Sequence, residues 1–292
     1  MTTNEILKKV RKIELITNRR VNDVFAGEYH SIFKGQGIEF SEVREYNIGD
    51  DIRTIDWNVS ARMGSLFVKK FIEERELTVM LLIDMSSSSK FGTTDELKSE
   101  IAAEISALLA FSAIKNNDKV GMIIFTDKIE KYIPPKKGRS HTLRMIREIL
   151  SFQPEHSNTD LNVALEYLNK VIKRKAIVFL ISDFISPDYS KSIAIANKRH
   201  DLVALTLSDP KEKSLTGSGF LYLEDAETGE EEIVEIDNPV FQKKFKSTVE
   251  KNYMNRKKLF QSINLDNVEI NTGGSYIKPL IAFFRERMKR IR

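Results

Sequence analysis

Two apolar runs limit the fold of this chain most. Residues 79–83 and 176–181 contain no polar side chain, and aspartates follow closely, Asp84 directly and Asp183 after Ser182. A strand with one wet face alternates apolar and polar residues, whereas an unbroken apolar run is covered on both faces, as strands of a parallel sheet are. The first run opens into Asp84-Met85-Ser86-Ser87-Ser88. Asp84, Ser86 and Ser88 occupy alternate positions, so three small oxygen-bearing side chains can converge on one point above the strand end. Oxygen-only ligands suit a hard divalent cation such as Mg²⁺. The same residues also suit an ordinary capped turn, and the five-residue pattern alone does not separate the two readings.

The flanking sequence fits such a sheet. Leu97, Ile101, Ile105, Leu108 and Leu109 fall at helical spacing within 95–115, so strand, loop and helix follow one another as in half of a βαβ unit. Residues 120–125 read as the next strand, 129–133 as a short edge strand stopped by Pro134 and Pro135, and 140–152 as a helix. A helix over 161–173, the strand of 176–182, a helix from Pro187 to Arg199 and a strand at 202–207 continue the alternation. This predicts an α/β fold class, a doubly wound and mainly parallel sheet with helices on both faces. Past Asp209 the rhythm breaks. Strands at 220–224 and 231–236 flank Glu227-Thr228-Gly229 as a hairpin insertion near 219–237. Asn238-Pro239 then caps a basic helix to about 262, in which Phe245, Val249, Tyr253, Leu259 and Phe260 are expected to form the buried side. Residues 268–270 return to the sheet and 276–292 close as a helix.

The first 76 residues differ in character. Ile6, Leu7, Val10, Ile13 and Ile16 predict an amphipathic helix over 3–17, and glycine-punctuated, irregular sequence follows over 18–76. Arg53 and Arg62 have Asp50, Asp51 and Asp56 nearby, and Trp57 is the only tryptophan. This set reads as a charge-paired structural knot around a buried indole, or else as a recognition surface. Two domains are expected, 1–76 and 77–292.

With 292 residues, of which 41% are apolar, the chain can bury a substantial core. It has no cysteine, which excludes disulfides, thiolate metal sites and cysteine nucleophiles, and a cytoplasmic location is expected. No run approaches the ~20 apolar residues of a membrane span, and the charged N-terminus holds no uninterrupted signal-peptide core. The formal net charge of +4 does not by itself drive nucleic-acid binding. The four histidines, at 30, 141, 156 and 200, have no metal-ligand spacing to one another and read as surface or loop residues.

In a doubly wound sheet the strands ending in Asp84 and Asp183 become neighbours where the strand order reverses, and ligands bind at the carboxyl ends there. Thr159, opening the helix before the second of these strands, adds a third kind of oxygen. The set Asp84, Ser86, Ser88, Thr159 and Asp183 resembles the metal-ion-dependent adhesion site of von Willebrand factor A domains: D-x-S-x-S after the first strand, a threonine in the second loop and an aspartate after the fourth strand. Where many relatives carry two glycines before that threonine, this chain has Ser157-Asn158. Arg44-Glu45-Tyr46 and the stretch Gly49-Asp50-Asp51-Ile52-Arg53-Thr54-Ile55-Asp56-Trp57-Asn58-Val59-Ser60-Ala61-Arg62 resemble the signature of bacterial DUF58 proteins, which join such a segment to an A-like domain. The resemblance implies a von Willebrand factor A-like, Rossmann-like domain, a divalent cation (Mg²⁺, Mn²⁺ or Ca²⁺), a protein partner offering an Asp or Glu to the ion, and association with a MoxR-type AAA+ ATPase.

Three functions compete at this stage. A metal-dependent protein-binding module, not an enzyme, uses few charged ligands and keeps the ion receptive to a carboxylate. A metal-dependent hydrolase would use the same cluster to activate water. Nucleic-acid binding by the basic helix ranks last.

Overall fold

The computed structural model describes residues 39–72, 77–90, 97–213, 219–224 and 231–291, together with Lys8, Val10, Arg11, Ile13 and Tyr29. The chain forms two units, Phe33–Leu77 and a larger one of Thr78–Arg292 with Met1–Ile32. The turn at Glu227-Thr228-Gly229 and His30 lie outside the described residues.

In the small unit, β1 (Glu39–Glu45) pairs antiparallel with β2 (Phe67–Ile72), and α1 (Trp57–Met63) lies between them in sequence. Aspartates organise this stretch. Asp50 takes both guanidinium nitrogens of Arg44 at 2.8 and 2.7 Å, and that bidentate bond holds its carboxyl below the usual range. Asp51 caps a 3₁₀ turn at Ile52–Thr54 and also pairs with Arg53. Asp56 caps α1 through the Asn58 and Val59 amides at 3.0 and 3.2 Å. Gly64 ends α1 at φ 73°, a left-handed conformation suited to glycine. Of the expected pairings Arg53 with Asp51 forms, whereas Asp50 takes Arg44 and Asp56 takes Lys69 at 3.5 Å in place of Arg62, and the expected centre is not buried: Trp57 is 64% exposed. Polar contacts hold α1 instead, with Phe67 N–H donating to Ser60 Oγ at 2.8 Å and Asp56 N–H to the Phe67 carbonyl at 2.9 Å. The indole is not needed to fasten it.

The large unit is built on a six-stranded sheet. Its strands are β3 (Thr78–Asp84), β4 (Lys119–Phe125), β5 (Ile129–Lys136), β6 (Ile177–Ser182), β7 (Asp201–Ser208) and β10 (Asp266–Asn271), in the order β10-β7-β6-β3-β4-β5. All neighbours are parallel except β4 and β5. The doubly wound α/β class is as expected from the alternation. Met80 and Leu82 share one apolar cluster with Leu161, Ala164, Leu165 and Leu168 of α4 (Leu161–Val171) and Ile193 and Ala196 of α5 (Ser190–Arg199). Val79, Leu81 and Ile83 point to the other face by the period of two and are equally buried. Two further helices lie between β3 and β6 in sequence, α2 (Lys98–Lys115) and α3 (Arg139–Leu150). α2 is buried nearly all round, from Ile101 to Ala113. Val10 and Ile13, both helical, and Tyr29 are buried in this unit, Tyr29 edge-on to Phe284 of α7 (Ile277–Ile291).

Three local expectations change. β5 runs through Pro134 and Pro135 because it is an edge strand whose register with β4 shifts there, between the partners of Val120 and Met122, so the prolines sit at an irregularity of the ladder. The hairpin of β8 (Phe220–Glu224) and β9 (Glu231–Glu235) forms as read, but the helix after it, α6 (Pro239–Ser262), buries only Phe260. Tyr253 is exposed and Phe245, Val249 and Leu259 are half-buried. Helical spacing identified the apolar stripe without specifying what covers it.

His200 also departs from its expected surface position. It is 2% exposed; Nδ1 accepts the Ala176 amide at 3.3 Å, and Nε2 has no hydrogen-bond partner among the described residues. Burial, aided by the charge of Arg199, lowers its pKa to about 4. A histidine depressed in the folded state costs stability as pH falls from its unfolded value toward the folded one. The wild type should therefore lose up to about 3 kcal/mol relative to His200→Asn between about pH 6.5 and 4. Urea titrations at stepped pH check this, and parallel curves for the two proteins would contradict it.

Candidate metal centre

β3 lies between β4 and β6, so chain connections diverge on either side of it and the carboxyl ends of β3 and β6 stand at the switch point where sheets of this kind bind ligands. Asp84 is the last residue of β3. The turn then folds back on its carboxylate: Ser86 N–H donates to Oδ1 at 3.0 Å, and Ser182 Oγ at the end of β6 donates to Oδ2 at 2.6 Å. The Ser86 and Ser88 hydroxyl oxygens lie 3.0 Å apart, so their alternation does make them meet. Asp183, one residue past β6, accepts the Ile185 amide on Oδ1 at 3.0 Å and Lys98 Nζ on Oδ2 at 3.1 Å.

Thr159 is buried in the loop before α4, and that loop is tied on both sides. The Ser157 carbonyl accepts Ser87 N–H at 2.9 Å, and Leu161 N–H donates to Ser186 Oγ at 3.1 Å. All three loops carrying the expected residues are thus joined at one edge of the sheet. Asp84 and Asp183 are 5% and 6% exposed. Burial, and then the charge of Asp183, push Asp84 up to about 6, although hydrogen bonds from Ser182 and Ser86 pull the other way.

Sequence reasoning missed Lys98, Glu212 and Arg256. Lys98 is the first residue of α2 and 2% exposed, with its ammonium between Asp183 and Glu212. A cation at a helix N-terminus opposes the helix dipole, so local rules argue against it there. The signal that could have found it is register: Lys98 lies three residues before Ile101 on a buried stripe of α2. Glu212 belongs to the helical turn Pro210–Lys213 after β7, and its Oε2 accepts the Asp209 amide at 2.9 Å. Arg256 of α6 donates to the Asp183 carbonyl at 3.3 Å and to Glu269 at 3.0 Å.

This donor set fits a hard divalent cation. It is all oxygen, and the charge of buried Asp183 raises Asp84 in a way that a cation would relieve. The hydroxyls are essential to the fit, because no group of three or more His, Asp or Glu suited to a metal occurs among the described residues. His156 contacts Lys128 and Asp127, and His141 the Val120 carbonyl, so neither joins the set.

A family profile described as "Protein of unknown function DUF58" matches residues 42–255. The chain belongs to that family. This DUF58 chain is 31% identical over 223 residues to the uncharacterized protein Rv1480 of Mycobacterium tuberculosis, covering 75% of the chain and 70% of the relative. Among solved structures it is similar to an aerotolerance-related membrane protein from Bacteroides fragilis, at 13% identity and a TM-score of 0.49 over 73% of this chain and 99% of that one. It is also similar to the SpRpn10 VWA domain, at 12% identity and a TM-score of 0.34 over 46% of this chain and 76% of that one. Likenesses this loose bear on neither function nor ligand. Among the described residues of the DUF58 chain, no helix is long and apolar enough to cross a membrane.

Proposed function

We propose that this DUF58 chain is a protein-binding module that depends on a divalent cation, that its partner presents an Asp or Glu, and that the partner is a MoxR-type AAA+ ATPase. The reading is supported by Ser86 and Ser88 meeting beside Asp84 at the end of β3, with Asp183 at the end of β6 close enough to act on Asp84 by its charge and the Thr159 loop tied to the same edge. A Mg²⁺, Mn²⁺ or Ca²⁺ ion held there would supply an open coordination position for the partner's carboxylate. Ser86, Ser88 and Thr159 offer neutral oxygens, which leave the charge of a cation largely uncompensated. Asp84 and Asp183 supply the negative field that draws it in.

One feature favours a binding role with an acidic partner. α6, joined to Asp183 through Arg256, exposes Lys243, Lys244, Lys246, Lys251, Lys257 and Lys258 and holds one acid, Glu250. A basic face beside a carboxylate-accepting site steers acidic partners toward it.

Co-purification with the ATPase tests the reading. Recovery in Mg²⁺ should exceed recovery in EDTA, or with Ser86→Ala, by at least tenfold. Equal recovery under all three conditions removes the metal bridge and leaves the cluster a structural turn.

A further inference from the structure

We infer that Lys98 sets the charge of this site: its ammonium neutralises part of the carboxylate cluster, which weakens the hold on a divalent ion and strengthens that ion's hold on an incoming carboxylate. The inference rests on the metal reading above and adds a residue that no part of the adhesion-site resemblance supplies.

The geometry leaves Lys98 little freedom. It starts α2 inside the protein, and its Nζ contacts Asp183 Oδ2 at 3.1 Å and Glu212 Oε1. Glu212 is itself anchored through Oε2 to the Asp209 amide. Asp209 in turn is buried, with Oδ2 accepting the Thr272 hydroxyl at 2.8 Å. Lys98 therefore has a fixed acid on either side. An ammonium held between two carboxylates is the arrangement in which a buried lysine keeps its charge.

Charge then decides the consequence. Lys98 offsets one of the negative charges of Asp84, Asp183 and Glu212, a set with the buried Asp209 behind it. With the ammonium in place, an approaching carboxylate meets a metal-loaded cluster one charge less negative than it would otherwise be. Without Lys98 the cluster binds the ion more tightly, stays more negative afterwards and repels the carboxylate more strongly. A lysine serving only to position Asp183 makes the opposite prediction for the metal, because its removal would disorder a ligand.

The probes are Mn²⁺, by calorimetry at pH 7.5, and acetate, by its effect on water-proton relaxation of the Mn²⁺-loaded protein. Lys98→Met should tighten Mn²⁺ by roughly tenfold or more and weaken acetate several-fold. Glu212→Gln removes a charge of the other sign and should weaken Mn²⁺ while tightening acetate. It alone carries the test if Lys98→Met does not fold. Weaker Mn²⁺ binding by Lys98→Met, or shifts of the same sign in both variants, overturns the inference. Binding by Lys98→Met but not by the wild type supports it in its strongest form. If none of the three proteins binds Mn²⁺, the metal reading itself falls, a result distinct from a wrong sign.

Discussion

Asp84→Asn should make the metal-free protein more stable at pH 7.5 and at the same time abolish its response to Mg²⁺. In the folded chain Asp84 titrates near 6, raised by burial and by Asp183, against about 3.9 for an unfolded aspartate. A carboxyl raised in the folded state holds its proton more tightly there than in the unfolded chain. Its ionisation therefore costs stability, not at all below about pH 4 and fully above about pH 6. Two units correspond to about 3 kcal/mol as an upper figure. The net gain for asparagine should be nearer 1–2 kcal/mol, because its amide replaces an acceptor that Ser182 Oγ now uses at 2.6 Å. Melting curves from pH 4 to 8 should place the mutant at or below the wild type near pH 4, where only the replaced acceptor counts, and above it as pH rises. His200 pulls the wild-type curve the other way over part of this range, so the difference between the proteins is the quantity to read. Adding Mg²⁺ should reverse the order, since an ion at 100 times its Kd stabilises the wild type by about 2.7 kcal/mol and the mutant not at all. A constant offset at every pH, untouched by Mg²⁺, would remove both the repulsion and the metal from the account of this site.

Gly121→Val should destabilise the protein by about 3 kcal/mol or more, although strand propensity predicts the reverse. Valine is favoured over glycine in strands by at most about 1 kcal/mol. A Cβ at Gly121 would lie 2.8 Å from both the Ile133 carbonyl oxygen and the Pro135 nitrogen, and 2.9 Å from Met80 Sδ. The thioether can swing away, but the other two atoms are backbone of β5. Accommodating the side chain means parting β4 from β5 where their register shifts between Val120 and Met122, and overpacking typically costs 1–3 kcal/mol even before backbone moves. Urea unfolding of Gly121→Ala and Gly121→Val should show a graded loss. An alanine variant as stable as the wild type would mean that β5 yields more easily than its sheet position implies.

The unbroken runs of β3 and β6 determined that both strands are covered on two faces, and the alternation with helices determined the doubly wound sheet, because burial and periodicity are local properties of a chain. The placement of Asp84, Ser86, Ser88 and Asp183 at one edge of the sheet was legible for the same reason: each stands at or shortly after a strand end, and strand ends in such a sheet share an edge. Tertiary structure alone decided what those residues touch. Lys98, Glu212 and Ser182 come from α2, the turn after β7 and the end of β6, and only chain crossing sets the ammonium between two acids. Trp57 and the apolar stripe of α6 show the converse, since periodicity and size say that a side chain could be buried while only neighbouring elements supply the cover. The continuation of β5 through Pro134 and Pro135 belongs with them: the edge strand was legible in the sequence, but the register shift opposite Val120 and Met122 that lets it run through two prolines exists only in the pairing with β4.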